Sequence, residues 1–406
     1  MKEKMRPILT PTYYKEFQCI GSACEDTCCA GWKVTVDKKT FQNYRETNHP
    51  VMKELLKKNV TRNRSNSSTH DYARIRMNDK GACTLLDDQG LCKVHSFLGA
   101  EMLSNTCAIY PRMLNKVDQN VEKSLSLSCP EAARHALLNP AGIDFIEEEE
   151  PVNTLGFMNK EFQTEPNNPF FWDLRIFTIQ VLQSRSQSIE NRLILLGLFF
   201  QKIASLPKQE WTEQLPKIME NYIEQLKNDE FSQSIKEMSS NLSFQMNMGK
   251  SLIEYRLKDG LSSERYLECL KEMIEGLSLD QEKSIEETIE KYKIAHDTYY
   301  ATFMTENDYI LENYLVNYVF KNLFPYDQQK LFDSYVILII NFALIRMHLV
   351  GMAQTHKGLS FELVLKLIQS YSKTIDHNES YLVNVIGSLK ESGYSTMAHM
   401  ATLIKN

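Results

Sequence analysis

The segment FQCIGSACEDTCCAGWKV, residues 17–34, carries half of a dense group of cysteines. Eight of the nine cysteines in the 406-residue chain precede residue 130, in the order C-x4-C-x3-C-C and then C-x8-C-x14-C-x21-C. Thiolates are soft ligands that bind zinc ions and iron–sulfur clusters, usually four to a site. The pattern therefore predicts one or two four-thiolate metal sites, and the spacing alone does not choose between zinc and iron. The candidate ligands are Cys19, Cys24, Cys28, Cys29, Cys83, Cys92, Cys107 and Cys129.

The adjacent cysteines Cys28 and Cys29 constrain this interpretation. Neighbouring side chains in an extended segment point to opposite faces and seldom bind the same ion, so one thiol is expected to bind metal while the other has a second role. Individual cysteines have a plainer alternative as small buried apolar residues, which are common in protein cores. Among the histidines, His95 is the best candidate ligand because it lies three residues beyond Cys92.

Charge is distributed unevenly along the chain. The net charge of -6 argues against broad nucleic-acid binding, although residues 1–140 carry a net positive charge and the remainder is acidic. The N-terminus is charged and lacks the apolar stretch of a secretory signal, so we expect a cytoplasmic protein whose clustered thiols bind metal rather than form disulfides. The longest apolar segment, residues 335–353, contains Asn341, Arg346 and His348, which argues against a membrane span.

The sequence predicts a mainly α protein in two parts. Residues 1–140 have little helical periodicity and form the expected irregular, cysteine-rich metal-binding domain, with short strands at 31–37 and 71–77. Residues 141–169 contain three prolines and a run of four glutamates, a composition typical of a linker. Apolar residues recur at helical spacing through residues 170–406, which predicts an irregular all-helical C-terminal domain.

Four segments contain the eight clustered cysteines: FQCIGSACEDTCCAGWKV (17–34), GACTLLDDQGLCKVH (81–95), CAIYPRML (107–114) and SLSCPEAAR (126–134). Together they resemble the flagellin lysine-N-methylase (FliB) family, and parts of them are similar to the broader cysteine-rich zinc/iron-chelating domain. The segment ENYLVNYVFKNLFPYD (312–327) extends the resemblance, less sharply, toward the C-terminus. The resemblance implies an S-adenosylmethionine-dependent enzyme that methylates lysine side chains of flagellin, with an iron–sulfur cluster of the 4Fe-4S type held by the N-terminal cysteines.

Two sequence features shape the mechanism that the resemblance implies. The chain has no G-x-G, so the methyl donor does not bind at the glycine loop of the common doubly wound methyltransferases. The cysteine spacing also differs from the C-x3-C-x2-C of radical enzymes that cleave S-adenosylmethionine, and a neutral lysine amine attacks a sulfonium methyl group without radicals. We therefore expect direct transfer, with a structural or donor-positioning cluster and a tyrosine or carboxylate base.

Two i,i+4 pairs, Asn313/Asn317 and Tyr314/Tyr318, each present one face on a helix. Such a surface suits the lysine channel or the amino-acid group of the donor. We take Tyr314 and Tyr318 as candidate catalytic residues and Asn317 as a candidate donor ligand. The alternative is that the tyrosines pack a helical bundle and leave their hydroxyls at its rim.

Two further residues are candidates for cofactor binding. Arg346 interrupts the most apolar helix and needs a partner, either the carboxylate of the donor or a structural salt bridge. Trp32 follows the adjacent cysteines closely and either packs over the metal site or stacks on a ligand. Two other functions stay open from the sequence: a zinc- or iron-binding module without catalysis, and a helical adaptor.

Overall fold

The strands of the described chain lie within its first 162 residues and form two sheets. The computed structural model describes residues 5–31, 34–65, 67–79, 81–152, 158–258, 260–261, 263–279, 284–375 and 379–405. The larger sheet has the order β7-β1-β6-β5-β8, with β1 parallel to β6 and β5 parallel to β8, and the smaller is antiparallel with the order β2-β4-β3. The strands are β1 (Met5–Pro11), β2 (Thr35–Val36), β3 (Val60–Arg62), β4 (Ala73–Ile75), β5 (Arg112–Val117), β6 (Asn120–Leu125), β7 (Phe145–Pro151) and β8 (Lys160–Phe162).

The segment 141–169, expected as a linker, contributes two of these strands. Strand β7 pairs with β1 along seven residues, and β8 pairs with β5. Ion pairs explain why the glutamate run is tolerated there, because Glu150 contacts Arg6 at 2.7 Å and also pairs with Lys123. The remaining glutamates of β7 lie at the exposed edge of the sheet, where water solvates them.

Short helices separate the N-terminal strands, although the sequence analysis predicted none there. Local caps begin several of them: the Asp37 carboxylate accepts from the Thr40 amide at 3.0 Å, and Pro50 occupies the first turn of its helix. Strands β2 and β4 lie within the two segments predicted to be extended. The helices are α1 (Tyr13–Glu16), α2 (Lys38–Glu46), α3 (Pro50–Asn59), α4 (Lys93–Leu98), α5 (Asn105–Ile109) and α6 (Pro130–Leu137).

The described part of the chain beyond residue 170 is helical, as predicted. A single π-helical stretch, His296–Tyr300, joins two of its helices. The helices are α7 (Phe171–Leu182), α8 (Ile189–Ala204), α9 (Trp211–Gln225), α10 (Asp229–Glu237), α11 (Leu242–Leu257), α12 (Glu264–Leu277), α13 (Ile285–Ala295), α14 (Ala301–Asn307), α15 (Tyr309–Lys321), α16 (Leu331–His356), α17 (Phe361–Ile375), α18 (Glu379–Glu391) and α19 (Met397–Ile404).

Helix α16 is the centre of this helical part. It packs against α8, α12, α17 and α19. By length and composition it is the one helix among the described residues that is apolar enough to cross a membrane, yet 89% of its most apolar window is buried inside the protein. Such burial is what the core helix of a soluble protein has.

The protein has two main hydrophobic cores among its described residues. A small core gathers buried residues between Val34 and Val94 around the three-stranded sheet. The main core combines the C-terminal helices with α1 and α6. A buried ion pair also joins β6 to α7, because Glu122 accepts from Arg175 at 2.6 and 2.8 Å. The larger sheet and α6 are thereby built into the helical part.

Candidate functional site

Four of the predicted thiol ligands belong to the small core. Cys83 is buried there, and Cys29, Cys92 and Cys107 pack against it half-buried. Backbone contacts hold their segments together, since the Cys83 amide donates to the Cys29 carbonyl at 2.8 Å and Cys92 forms a bridge with Leu86. Negative charge on neighbouring thiols adds to burial in raising the pKa of Cys83 and Cys107, the latter to about 12.

A second group consists of Cys19, Cys24 and Cys129. Cys129 occupies the N-cap position of α6 and packs against the main core, whereas Cys19 follows α1 and is exposed. Burial raises the pKa of Cys129 to about 12, and the charges of Cys24 and Cys19 add to that shift. Cys24 and Cys19 therefore each lie within electrostatic range of Cys129.

Cys28 and Cys29 connect the two groups. Their sulfur atoms lie 3.8 Å apart, and all nine cysteines of the chain are reduced. A hydrogen bond from Cys29 lowers the pKa of Cys28 to about 7, and the same bond raises the pKa of Cys29. The charge of Cys28 acts on Cys24 in one group and on Cys83 and Cys107 in the other.

The thiols of the two groups are chemically suitable ligands for a metal centre. Their arrangement is too open to bind a single ion. Bound cations would relieve the mutual repulsion of these thiols as thiolates. Within the described ranges, no three His, Cys, Asp or Glu side chains are grouped to hold one metal ion. A 4Fe-4S cluster is larger than one ion and takes each of four thiolates on a different iron, so it needs less convergence of the sulfur atoms.

Helix α17 anchors the cysteine loop to the helical part. The Asp26 carboxylate accepts from Gln369 and from Lys373, both at 2.8 Å. Lys373 also donates to the Thr27 carbonyl at 2.8 Å, and Gln369 donates to the Ser128 carbonyl at the same distance. These contacts fix the segment just before Cys28 and Cys29 against a rigid helix.

A cleft of about 320 Å³ opens between α1 and α6, and we call it the α1–α6 cleft. Its lining includes Tyr13, Glu16, Arg134, His135 and Asn139. Cys129, a member of the second thiol group, occupies the N-cap position of α6. His135 lies six residues later, about 9 Å further along the helix at 1.5 Å per residue. The cleft therefore lies next to the cysteine-rich region.

The residues predicted on helix α15 lie behind the wall of this cleft. Asn317 is buried and accepts a hydrogen bond from the hydroxyl of Tyr13, and Asn313 donates to the Asn139 carbonyl at 3.0 Å. Tyr314 is 1% exposed and its ring centre lies 6.5 Å from that of the half-buried Tyr318. The catalytic role of the two tyrosines and the donor-binding role of Asn317 stay predictions.

Arg346, on α16, lies away from the α1–α6 cleft and contacts the end of helix α19. It donates to the Leu403 carbonyl at 2.8 Å and to the Ile404 carbonyl at 2.5 Å, and so caps helix α19. The cavity beside it has about 20 Å³, room for roughly one water molecule. Its donor-binding role stays a prediction, and Trp32, the other predicted cofactor residue, lies outside the described residues.

The cleft residues Glu16 and His135 were not singled out as a site from the sequence. His135 lies four residues after Glu131, a spacing that places both on one helical face and was visible in the sequence. The approach of Glu16 depends on how α1 packs against α6, for which no local signal exists.

Comparison with known proteins agrees with this picture. Residues 175–403 match the family model described as the FliB lysine N-methylase C-terminal domain. Proteins named Lysine-N-methylase from Salmonella typhimurium and Salmonella choleraesuis are each 24% identical over 415 residues, which covers 97% of this chain and 99% of theirs. Flagellar biosynthetic protein FliU of Salmonella muenchen is 36% identical over 134 residues, 33% of this chain and 78% of that protein. No solved structure matches.

These matches cover both parts of the molecule. The family model spans more than half of the chain within its helical part, and the Lysine-N-methylase relatives extend the similarity to nearly the full length. The chain therefore belongs to the FliB lysine N-methylase family and is a lysine methyltransferase.

Proposed function

We propose that this methyltransferase is cytoplasmic, acts on lysine side chains of flagellin, takes its methyl group from S-adenosylmethionine and holds a 4Fe-4S cluster. The observation that carries the proposal is the assembly of eight distant thiols into two groups joined by Cys28 and Cys29. The name of the FliU relative supports a flagellar substrate. The burial of α16 inside the protein supports a soluble enzyme.

The cluster is assigned to the thiols, with zinc as the alternative metal. Cys29, Cys83, Cys92 and Cys107 form the group at the small core, and Cys19, Cys24 and Cys129 form the second group. When bound, the cluster orders the cysteine loops and helps to position the methyl donor. Iron and labile sulfide analysis of protein purified without oxygen separates the metals, because a colourless zinc-loaded protein contradicts the assignment.

Methyl transfer to lysine sets two requirements on the protein. The substrate ammonium has a pKa of about 10.4 and must lose a proton before its nitrogen becomes a nucleophile. The nitrogen, the methyl carbon and the sulfur of the donor must then lie nearly in line, with the reacting atoms about 3–3.5 Å apart. The α1–α6 cleft lies beside the cysteine-rich region, and its lining holds a carboxylate, Glu16, and an imidazole, His135, which suit the first requirement.

The test is transfer itself. The full chain, purified without oxygen, is incubated with flagellin and S-adenosylmethionine labelled in its methyl group, and the flagellin peptides are analysed by mass spectrometry. We expect the label on lysine nitrogen. Saturable binding of the donor without labelled lysine on flagellin contradicts the proposal and favours another substrate or an adaptor role.

A further inference from the structure

The α1–α6 cleft has the charge pattern of a site for a cation. Three carboxylates lie on or beside it, those of Glu16, Glu25 and Glu131. They face one guanidinium, that of Arg134, which forms ion pairs with both Glu25 and Glu131. With His135 neutral the group has an excess of negative charge, which favours a bound ammonium over an anionic ligand.

His135 lies between two of these carboxylates. Its Nε2 atom is 3.1 Å from Glu131 Oε1, and its Nδ1 atom is 3.5 Å from Glu16 Oε2. The Glu131 side chain is only 14% exposed and is held from its other side by Arg134, whereas the Glu16 side chain is 66% exposed. Glu131 is thus the fixed partner of the imidazole, and Glu16 has room to move.

This arrangement defines a proton acceptor. When His135 is neutral and its Nε2–H donates to Glu131, the lone pair of Nδ1 is the group that faces Glu16 at the cleft. A fixed carboxylate behind an imidazole sets the tautomer and stabilises the imidazolium that forms on protonation. An ammonium that enters between Glu16 and Nδ1 meets a negative charge and a base together.

We propose that the α1–α6 cleft binds the lysine to be methylated and that His135 removes its proton, with Glu131 fixing the imidazole tautomer and Glu16 holding the ammonium. The inference rests on the proposed function and deepens it by naming the substrate site and the base. It differs from the candidates Tyr314 and Tyr318, which lie on α15 rather than in the lining of the cleft.

The step balances as a simple displacement. One N–H bond of the lysine ammonium breaks, and its proton moves to His135 Nδ1. The freed lone pair forms a bond to the methyl carbon of a sulfonium donor, and the carbon–sulfur bond breaks with its electron pair passing to sulfur. The products are a methylated ammonium, a neutral thioether and an imidazolium stabilised by Glu131.

A methyl donor fits the cleft less well than a lysine does. Half or more of the lining residues are polar or charged, and the lining has one aromatic side chain, Tyr13, whose hydroxyl already donates to Asn317. Ligands with a nucleoside are usually bound by predominantly apolar and aromatic walls. A narrow aliphatic chain that ends in an ammonium fits within the cleft and matches the charge of the carboxylates on and beside it.

The test compares variants of the full chain in the flagellin methylation assay. Replacing a general base costs about 10²-fold or more, so we expect His135→Ala to lower kcat by at least that factor and added imidazole to restore part of it. Glu16→Gln is expected to raise the KM for flagellin several-fold. The matched controls are His356→Ala, whose histidine pairs with Glu272 at 3.2 Å, and Glu161→Gln, whose side chain is also 66% exposed.

The outcomes separate the two proposals. If the unaltered enzyme methylates flagellin and His135→Ala keeps its kcat, or loses it without rescue by imidazole, the base assignment is wrong and the proposed function stands. If the unaltered enzyme labels no lysine, the proposed function is wrong and the base assignment falls with it. Thermal unfolding of each variant shows whether a loss comes from misfolding, and the exposed Glu16 provides a variant that leaves the core intact.

Discussion

At the scale of single residues, the core of the protein contains a histidine held in its neutral form. His348 on α16 is completely buried, with Nδ1 at 2.7 Å from the Leu344 carbonyl and Nε2 at 3.2 Å from the Tyr266 hydroxyl. A neutral ring satisfies both partners by donating to the carbonyl and accepting from the hydroxyl. Burial lowers the pKa of His348 to about 4 because a charged ring there loses its hydration.

This histidine predicts a pH dependence of stability. The unfolded chain binds a proton at His348 near its ordinary pKa of about 6.5, whereas the folded chain does so only near 4. The unfolded state therefore binds more protons between these values, and the free energy of unfolding falls by up to about 3 kcal/mol as the pH is lowered through that window.

Unfolding by urea at a series of pH values measures this effect. We expect His348→Gln to be less stable at neutral pH but to show a shallower loss between pH 6.5 and 4 than the unaltered protein. His356→Gln, at a partly exposed position, serves as the control and keeps the steeper curve. Parallel curves for the unaltered protein and His348→Gln would show that this residue does not titrate as stated.

At the scale of helices, the crossing of α12 and α16 depends on two glycines. A Cβ atom on Gly276 would lie 2.0 Å from the Gly351 carbonyl oxygen, and one on Gly351 would lie 2.7 Å from the Met273 side chain. The obstacle at Gly276 is backbone, so the helices have to separate before any larger residue fits. The close approach of α12 to the central helix follows from these residues.

A glycine-to-alanine change at the crossing is expected to have the opposite effect on stability from one at an exposed helical position. Gly276→Ala is expected to lower the free energy of unfolding by about 3 kcal/mol or more, since overpacking strains a well-packed contact. Gly387→Ala, in the exposed middle of α18 with open space around it, is expected to raise it by about 0.5–1 kcal/mol. Equal urea midpoints for the two variants would be incompatible with the crossing described.

Helix α17 offers a test of how the cysteine loop is held. Lys373→Met leaves the Asp26 carboxylate and the Thr27 carbonyl without the ammonium that lies 2.8 Å from each. Breaking a buried ion pair by removing one partner costs about 3–5 kcal/mol, and here that cost is expected as local opening of residues 24–31. The measurement is hydrogen exchange of peptides from this segment, which should become faster.

The control for this variant is an exposed pair in the helical part. Lys390 lies 2.6 Å from Asp333, and its side chain is 52% exposed, so Lys390→Met should leave exchange in the cysteine loop unchanged. Unchanged exchange of the loop in Lys373→Met as well would mean that α17 does not restrain it.

At the scale of the whole molecule, features that depend on local residue pattern could be predicted from the sequence, whereas the pairing of distant segments could not. The helical C-terminal part follows from local periodicity. The candidate thiol ligands follow from their residue type, and their role as ligands stays a prediction. The run of glutamates in β7 predicts a linker by its composition. That it forms a strand could not be predicted locally, because its sheet partner, β1, lies far away in sequence. The same limit applies to the α1–α6 cleft, since Glu16 and His135 meet only after α1 packs against α6.

The central claim is that a centre held by the N-terminal thiols supports methyl transfer to lysine. The most direct measurement is the methyl content of flagellin lysines after reaction with equal amounts of the unaltered chain, Cys107→Ser and Cys269→Ala, all purified without oxygen. Cys269 is the matched control because it is buried in the helical core, apart from the thiol groups. The account predicts methylated lysine with the unaltered chain and Cys269→Ala and a large loss with Cys107→Ser; equal methylation by all three would contradict it.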